Sequence, residues 1–445
     1  MEKNSQVRIM GKIYATAYRT IIFLGDQTDD SNALFEHCRY NQNIGPSTVQ
    51  PVYIVSAAEQ LLQRAWFSRV WPVQELMRSR DSIFMCGRDE LPYDALHRFI
   101  RSVSLNIEYP AALAMKVGNF DFCLGLADTE IQKLFVLVAE TGLCQSTERL
   151  DKILALTPLV QTQNPELEAL VNYNQTFQEL FYRFTAFISD NGCGLSFLTM
   201  IRHPHFINGL PSWVPDWGEI RNKGRLGMDF GCFFHTIEEW ALRDHIDTVG
   251  NDTGFASHRL ILQGYRYGLI DEQGPVIRIR QETIRDRIED VRALANLVES
   301  IRSGTDVNAL DWPTSIKGGD ISALLRSRIE IKLNYETIDE PTSHNVAIGC
   351  DGAKVFITSN GKLGLCPEAA QKGDLVCIVK GAMEPCILRK TNSDWILVSG
   401  DCLLHEMELG YGLSALAREP GSGVWTWMMR GYLNKDKKLE NFSIV

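Results

Sequence analysis

The stretch RAWFSRVWPVQE, Arg64 to Glu75, gathers two tryptophans, two arginines and a carboxylate within twelve positions. Tryptophan is highly buried on average, and glutamate is rarely buried without a partner. Two readings follow. In one, Trp66, Phe67 and Trp71 anchor a core, and Glu75 pairs with Arg69 or Arg78 at its edge. In the other, the aromatics exclude water around Glu75, where a carboxylate does chemistry. Trp71 and Glu75 stand four apart, hence on one helix face. Trp66, Trp71 and Glu75 together read as one helix laid across a sheet.

Upstream, Val7, Met10, Ile13, Tyr14 and Ala17 recur at helical spacing and place a helix over residues 4–18. The apolar run Ile21 to Leu24, closed by Gly25-Asp26, reads as a buried parallel strand. Residues 31–41 and 53–64 read as helices separated by the loop NIGPSTVQP. Downstream of Glu75 the helix continues to about Arg80. SIFMCG then gives a second buried strand ending at Cys86-Gly87, and LPYDALHRFIRSV a further helix. This alternation predicts an α/β fold. Two strands are fewer than sheets usually hold, so the sheet reads as incomplete.

Residues 110–205 are mainly helical, with LDKILALTPLV and YNQTFQELFYRFTAFIS the clearest segments. LPSWVPDWG, carrying Trp213, Asp216 and Trp217, marks an ordered aromatic turn. RLILQG and RYGLI read as strands, and TIRDRIEDVRALANLVESI as a helix. From residue 353 onward strands and turns dominate, and Asn360-Gly361 is a hairpin signal. The expected division is 1–105 as a partial α/β domain, 106–250 as a mainly helical region, and 251–445 as an α+β, β-rich domain.

At 445 residues the chain exceeds a single core. Its 45% hydrophobic and 22% charged residues are ordinary for a soluble globular protein. A net charge of -10 argues against nucleic-acid binding, which needs a basic surface; the short KDKK run near the C-terminus reads as a solvated tail. No apolar stretch is long enough to span a membrane, and the N-terminus lacks a signal core, which points to the cytoplasm. Eleven cysteines, without a CxxC pair, read as reduced and mostly buried thiols. No metal site is expected: the nine histidines include no HExxH, and His203 and His205 flanking a proline read as surface.

The ordered motifs resemble those of fungal heterokaryon incompatibility (HET) domains. QVRIMGKIYATAYRTIIFLG is similar to a HET segment in which a helix leads into a strand ending Leu-Gly. RAWFSRVWPVQE resembles the "WF.R.W..QE" motif, carried here by Trp66, Arg69, Trp71, Gln74 and Glu75 and followed, as in the family, by a strand ending Cys86-Gly87. DKILALTPLV, LPSWVPDW, and GDLVCIVKGAMEPCILRK with ILVSGDCLLHEMELG resemble later family segments in the same order. The "LSYxWG" and "IDa.CINQ" strands with which members begin are absent, so the resemblance implies an N-terminally incomplete domain. Near the C-terminus, GKLG replaces "GYLG", and Glu406 stands where the family has glycine.

HET domains are similar to Toll/interleukin-receptor (TIR) domains, some of which cleave NAD. The resemblance therefore implies a TIR-like sheet, NAD as a substrate to consider, and Glu75 as the catalytic position, where it would stabilise an oxocarbenium-like state. It also implies a protein partner, or further copies of the chain, in non-self recognition leading to regulated cell death. The absent strands would supply loops at the carboxyl ends where ligands of α/β sheets bind, so the expectation is a non-catalytic signalling protein. The alternatives are a TIR-like NAD glycohydrolase and an inactive truncated relative or a member of a metabolite gene cluster. Gly25-Asp26, Cys86 and Asp216 are secondary candidates whose plainer readings are a turn, a buried thiol and a hydrogen-bonded turn residue.

Overall fold

A computed structural model describes residues 2–41, 51–104, 129–220 except 143, 163 and 202–206, 245–248, 257–276, 352–404 except 361, 362 and 383, and 439–445. The expected helix at 283–301, His203 and His205, KDKK and Glu406 lie outside the described residues. The chain divides into two compact units, Met1–Leu180 with Trp217–Asn222, and Phe181–Asp216 with Lys223–Val445.

In the first unit, helix α1 (Glu2–Thr16) precedes strand β1 (Thr20–Phe23). Helix α2 (Asp29–Tyr40) starts at a capping box, in which the Thr28 and Ser31 side chains each satisfy the other's backbone N–H. Helix α3 (Val52–Leu62) follows, then two short helices, α4 (Ala65–Ser68) and α5 (Trp71–Arg78). Strands β2 (Ser82–Cys86) and β3 (Asp89–Pro92) lead into helix α6 (Tyr93–Ser104). β1 runs parallel to β2, with Thr20 opposite Ser82 and Phe23 opposite Met85, and β3 returns antiparallel. Among the described residues this sheet has three strands, in the order β1-β2-β3.

Three expectations need correction. LPYDALHRFIRSV is not wholly helical: Leu91 and Pro92 pair with Phe84 and Ile83 in β3, and the helix begins at Tyr93. The two residues Gly87-Arg88 turn the chain tightly enough for β3 to fold straight back on β2, so the buried Leu91 serves the sheet. β1 is not buried on both faces. Ile22 and Leu24 enter the core with Phe84 and Cys86, beneath Leu34 and Phe35 of α2, Ala58 and Leu61 of α3, and Leu96 and Phe99 of α6. Ile21 and Phe23 face the other way, and each is 58% exposed. A one-sided helical cover therefore turns an apolar run into an alternating strand. Third, RLILQG and RYGLI belong to a single strand, His258–Val276.

Beyond α6 the described residues of the first unit are mainly helical, with helices Glu130–Glu140, Asp151–Leu154 and Pro165–Leu170 and a 3-10 turn at Thr157–Leu159. The second unit is β-rich. Its long strand His258–Val276 pairs antiparallel with Ala353–Thr358, Leu375–Val379 and Glu440–Ile444. Arg389 grips the buried Asp374 with two hydrogen bonds of 2.9 Å. The strands on either side of Asn360 are antiparallel neighbours, as the hairpin signal predicts. The chain is thus α/β in its first part and β-rich toward the C-terminus. All eight described cysteines are free and buried. No described helix is long and apolar enough to cross a membrane.

Gly87 closes the β2–β3 turn at φ +59°, and a Cβ there would lie 2.8 Å from the Gln27 Cβ. Both effects oppose a side chain, so Gly87→Ala is expected to cost about 1–3 kcal/mol. Urea unfolding followed by tryptophan fluorescence measures it; an unchanged midpoint would show that this turn tolerates a Cβ.

Candidate functional site

Residues 64–75 form two helices with a break between them, which corrects the single helix expected from sequence. Arg69 is extended, at φ -90° and ψ 152°, and pairs with Gln145 in an isolated parallel bridge. The Val70 N–H donates to the Gln145 carbonyl at 2.9 Å, and the Gln145 N–H donates to the Ser68 carbonyl. Backbone bonds to a distant segment replace the helical ones that Arg69 and Val70 would otherwise make. Pro72 then sits in the first turn of α5, where its missing N–H costs nothing.

The break folds α4 and α5 against each other. The Trp66 indole N–H donates to Glu75 Oε2 at 2.9 Å. The Trp66 ring meets Phe67 and Phe84 edge-on, at 5.0 and 5.6 Å between centroids. Glu75 is half-buried. Its expected ion pair with Arg78 does not form, because the Arg78 guanidinium instead donates to the Pro158 carbonyl. Tyr14 of α1 lies close enough that its phenol is pushed up, by burial first and by the Glu75 charge second.

Trp71 turns to another carboxylate. Its indole N–H donates to Asp151 Oδ2 at 3.1 Å, and the Tyr173 hydroxyl donates to Asp151 Oδ1 at 2.6 Å. Asp151 is only 5% exposed, yet Lys152 beside it donates to the Gly142 and Cys144 carbonyls. Burial, then the bond to Asp151, push the Tyr173 phenol far up, so Tyr173 stays a proton donor. The Tyr173 backbone N–H donates in turn to Asn4 Oδ1 of α1, at 2.9 Å. Asp151 and Tyr173 were not among the sequence candidates; the signal available was the aspartate opening DKILALTPLV.

Gln74 is fully buried, and neither its amide oxygen nor its amide nitrogen has a hydrogen-bond partner among the described residues. α1 approaches it through Gly11, where a Cβ would lie 3.0 Å from the Pro158 Cβ and 3.3 Å from Gln74 Nε2. At the carboxyl ends of β1 and β2, the Gly87 N–H donates to the Gly25 carbonyl at 2.9 Å, and Gly25 adopts φ +102°. The thiol of Cys86 is pushed up by burial, with Arg64 opposing, so it remains protonated.

The proline- and tryptophan-rich segment lies elsewhere. Trp213, fully buried in the second unit, donates to the His258 carbonyl at 3.3 Å and packs on Tyr182. Asp216 is half-buried in the same unit. Trp217 belongs to the first unit, buried edge-on against Phe135. Of the sequence candidates, the structure therefore brings together Trp66 with Glu75, and Gly25 with Cys86 and Gly87. No group of three or more described His, Cys, Asp or Glu side chains has metal-holding geometry.

Trp66→Phe removes the indole donor and keeps the ring, so it is expected to cost about 1–2 kcal/mol. Glu75→Gln keeps a carbonyl acceptor for that donor and is expected to cost less. Chemical unfolding of both variants checks the order; a reversed order would mean that the bond adds nothing to the fold.

Residues 1–75, ending on Glu75, match the family model described as heterokaryon incompatibility protein (HET). The chain is also similar to heterokaryon incompatibility protein 6, OR allele, of Neurospora crassa, with 24% identity over 315 residues, covering 52% of this chain and 44% of that protein. The chain thus spans less than half the length of this curated relative. No solved structure gives a significant match. The family match and this relative together mark residues 1–75 as similar to a HET domain, and the chain as similar over about half its length to a fungal incompatibility protein.

Proposed function

We propose that this chain acts in heterokaryon incompatibility as a non-catalytic recognition and signalling module, engaging a protein partner or further copies of itself to trigger regulated cell death. The similarity to an incompatibility protein supports the process. The observation that carries the non-catalytic reading is the commitment of Glu75. One of its oxygens takes the Trp66 indole N–H, and that bond clasps α4 to α5. A carboxylate that must stabilise an oxocarbenium-like ribose has to face its substrate, whereas this one serves as an internal tie. Trp71 is likewise spent on Asp151, so both tryptophans of the motif act as hydrogen-bonded anchors.

Expression of the full chain in a fungal host carrying an incompatible background tests this reading. Glu75→Gln, which preserves the acceptor, is expected to leave both the incompatibility response and cellular NAD at the level of the unmodified chain. Loss of the response by a folded Glu75→Gln protein, together with loss of NAD turnover that the unmodified chain displays, would overturn it in favour of an NAD glycohydrolase.

A further inference from the structure

The first unit contains a cation whose charge no described carboxylate balances. Arg64 is half-buried between the carboxyl ends of the two parallel strands. Its Nη1 makes both of the guanidinium's contacts, 2.9 Å to the Leu24 carbonyl after β1 and 3.4 Å to Cys86 Sγ at the end of β2. A guanidinium carries five N–H donors, two of them on Nη1. The donors on Nε and Nη2 have no partner among the described residues. Those two nitrogens form the side-on edge whose parallel N–H vectors match two oxygens of a carboxylate or phosphate. The contacts through Nη1 fix the plane of the group, so this edge is pre-oriented.

Among the described residues no carboxylate forms an ion pair with Arg64. The neighbouring Cys86 thiol stays neutral. Asp89, the carboxylate of the adjoining turn, is paired with Arg39. Asp26, Asp29 and Asp30 are exposed, where water and salt screen them. A half-buried cation without an ion pair is costly unless something else supplies charge or hydrogen bonds. Both adjoining turns use glycine at positive φ, at Gly25 and Gly87, and a Cβ on Gly25 would have Arg64 Nη1 as its nearest neighbour, at 3.7 Å. No side chain other than Arg64 itself lies against Gly25, whereas the Gln27 side chain lies against Gly87. The carboxyl ends of parallel strands are also where α/β sheets bind ligands.

We propose that Arg64 is an anion-binding residue, its Nε–Nη2 edge receiving two oxygens of a phosphate or carboxylate group at the carboxyl ends of β1 and β2. The site stands apart from Glu75 and does not rest on the non-catalytic reading.

The test titrates inorganic phosphate, and acetate in parallel, into the full chain at constant ionic strength, with the melting temperature as the readout. The unmodified chain is expected to gain stability saturably with phosphate, with acetate or with both; phosphate alone assigns a phosphoryl ligand, acetate alone a carboxylate. Arg64→Gln is expected to shift the half-saturating concentration at least tenfold. Because Arg64 also holds the Leu24 carbonyl, this variant lowers the starting melting temperature, so the anion response is the quantity compared. Arg64→Lys keeps the charge without the fork and is expected to respond more weakly than the unmodified chain. No saturable response to either anion, or equal responses in all three proteins, would overturn the assignment.

Discussion

The first unit depends on a buried negative charge held by neutral donors. Asp151 is nearly inaccessible, and the donors on its two oxygens are an indole and a phenol. Taking a carboxylate out of water costs several kcal/mol unless hydrogen bonds replace those lost. Trp71 and Tyr173 supply them from segments far apart in sequence. The Tyr173 backbone is tied to Asn4, so one carboxylate joins the start of α1, the start of α5 and the DKILALTPLV segment. The family segment 1–75 therefore does not close on itself: it is completed by residues 145–173, through Gln145, Asp151, Pro158 and Tyr173.

Within that frame the tryptophans divide the labour. Trp71 binds outward to the helical segment, while Trp66 binds inward to Glu75 and covers Phe84 of the sheet. Gln74, between Trp71 and Glu75 in the motif, has no such partner among the described residues. Leaving its buried amide unsatisfied costs about 1–3 kcal/mol. The close seat of α1 on Gly11 brings that helix against Gln74 and Pro158. This contact leaves both polar atoms of a buried amide without a partner among the described residues.

The sequence reading succeeded where periodicity and turn chemistry are local. The helices near 29–40 and 52–62, the β2 strand and the C-terminal strands all follow from such signals. It failed where distant residues decide. Nothing local to Arg69 announces that Gln145 will open the helix there. Nothing in TIIF says that helices cover only one of its faces. Glu75 was legible as a candidate, but its hydrogen bond was not: the ionic partners at helical spacing were visible, and the indole nine residues upstream was not. Asp151 was hidden for the opposite reason. An aspartate opening a helix looks like an ordinary first-turn acid, and only the fold reveals that it is buried.

Trp71 and Asp151 are coupled, and this coupling joins the family segment to the helices after it. A double-mutant cycle measures it directly, with Trp71→Phe, Asp151→Asn and the double variant unfolded in urea. A real bond predicts a coupling energy of about 1–3 kcal/mol between the two changes. Effects that simply add, to within about 0.5 kcal/mol, would show that the two residues are neighbours without holding the fold together.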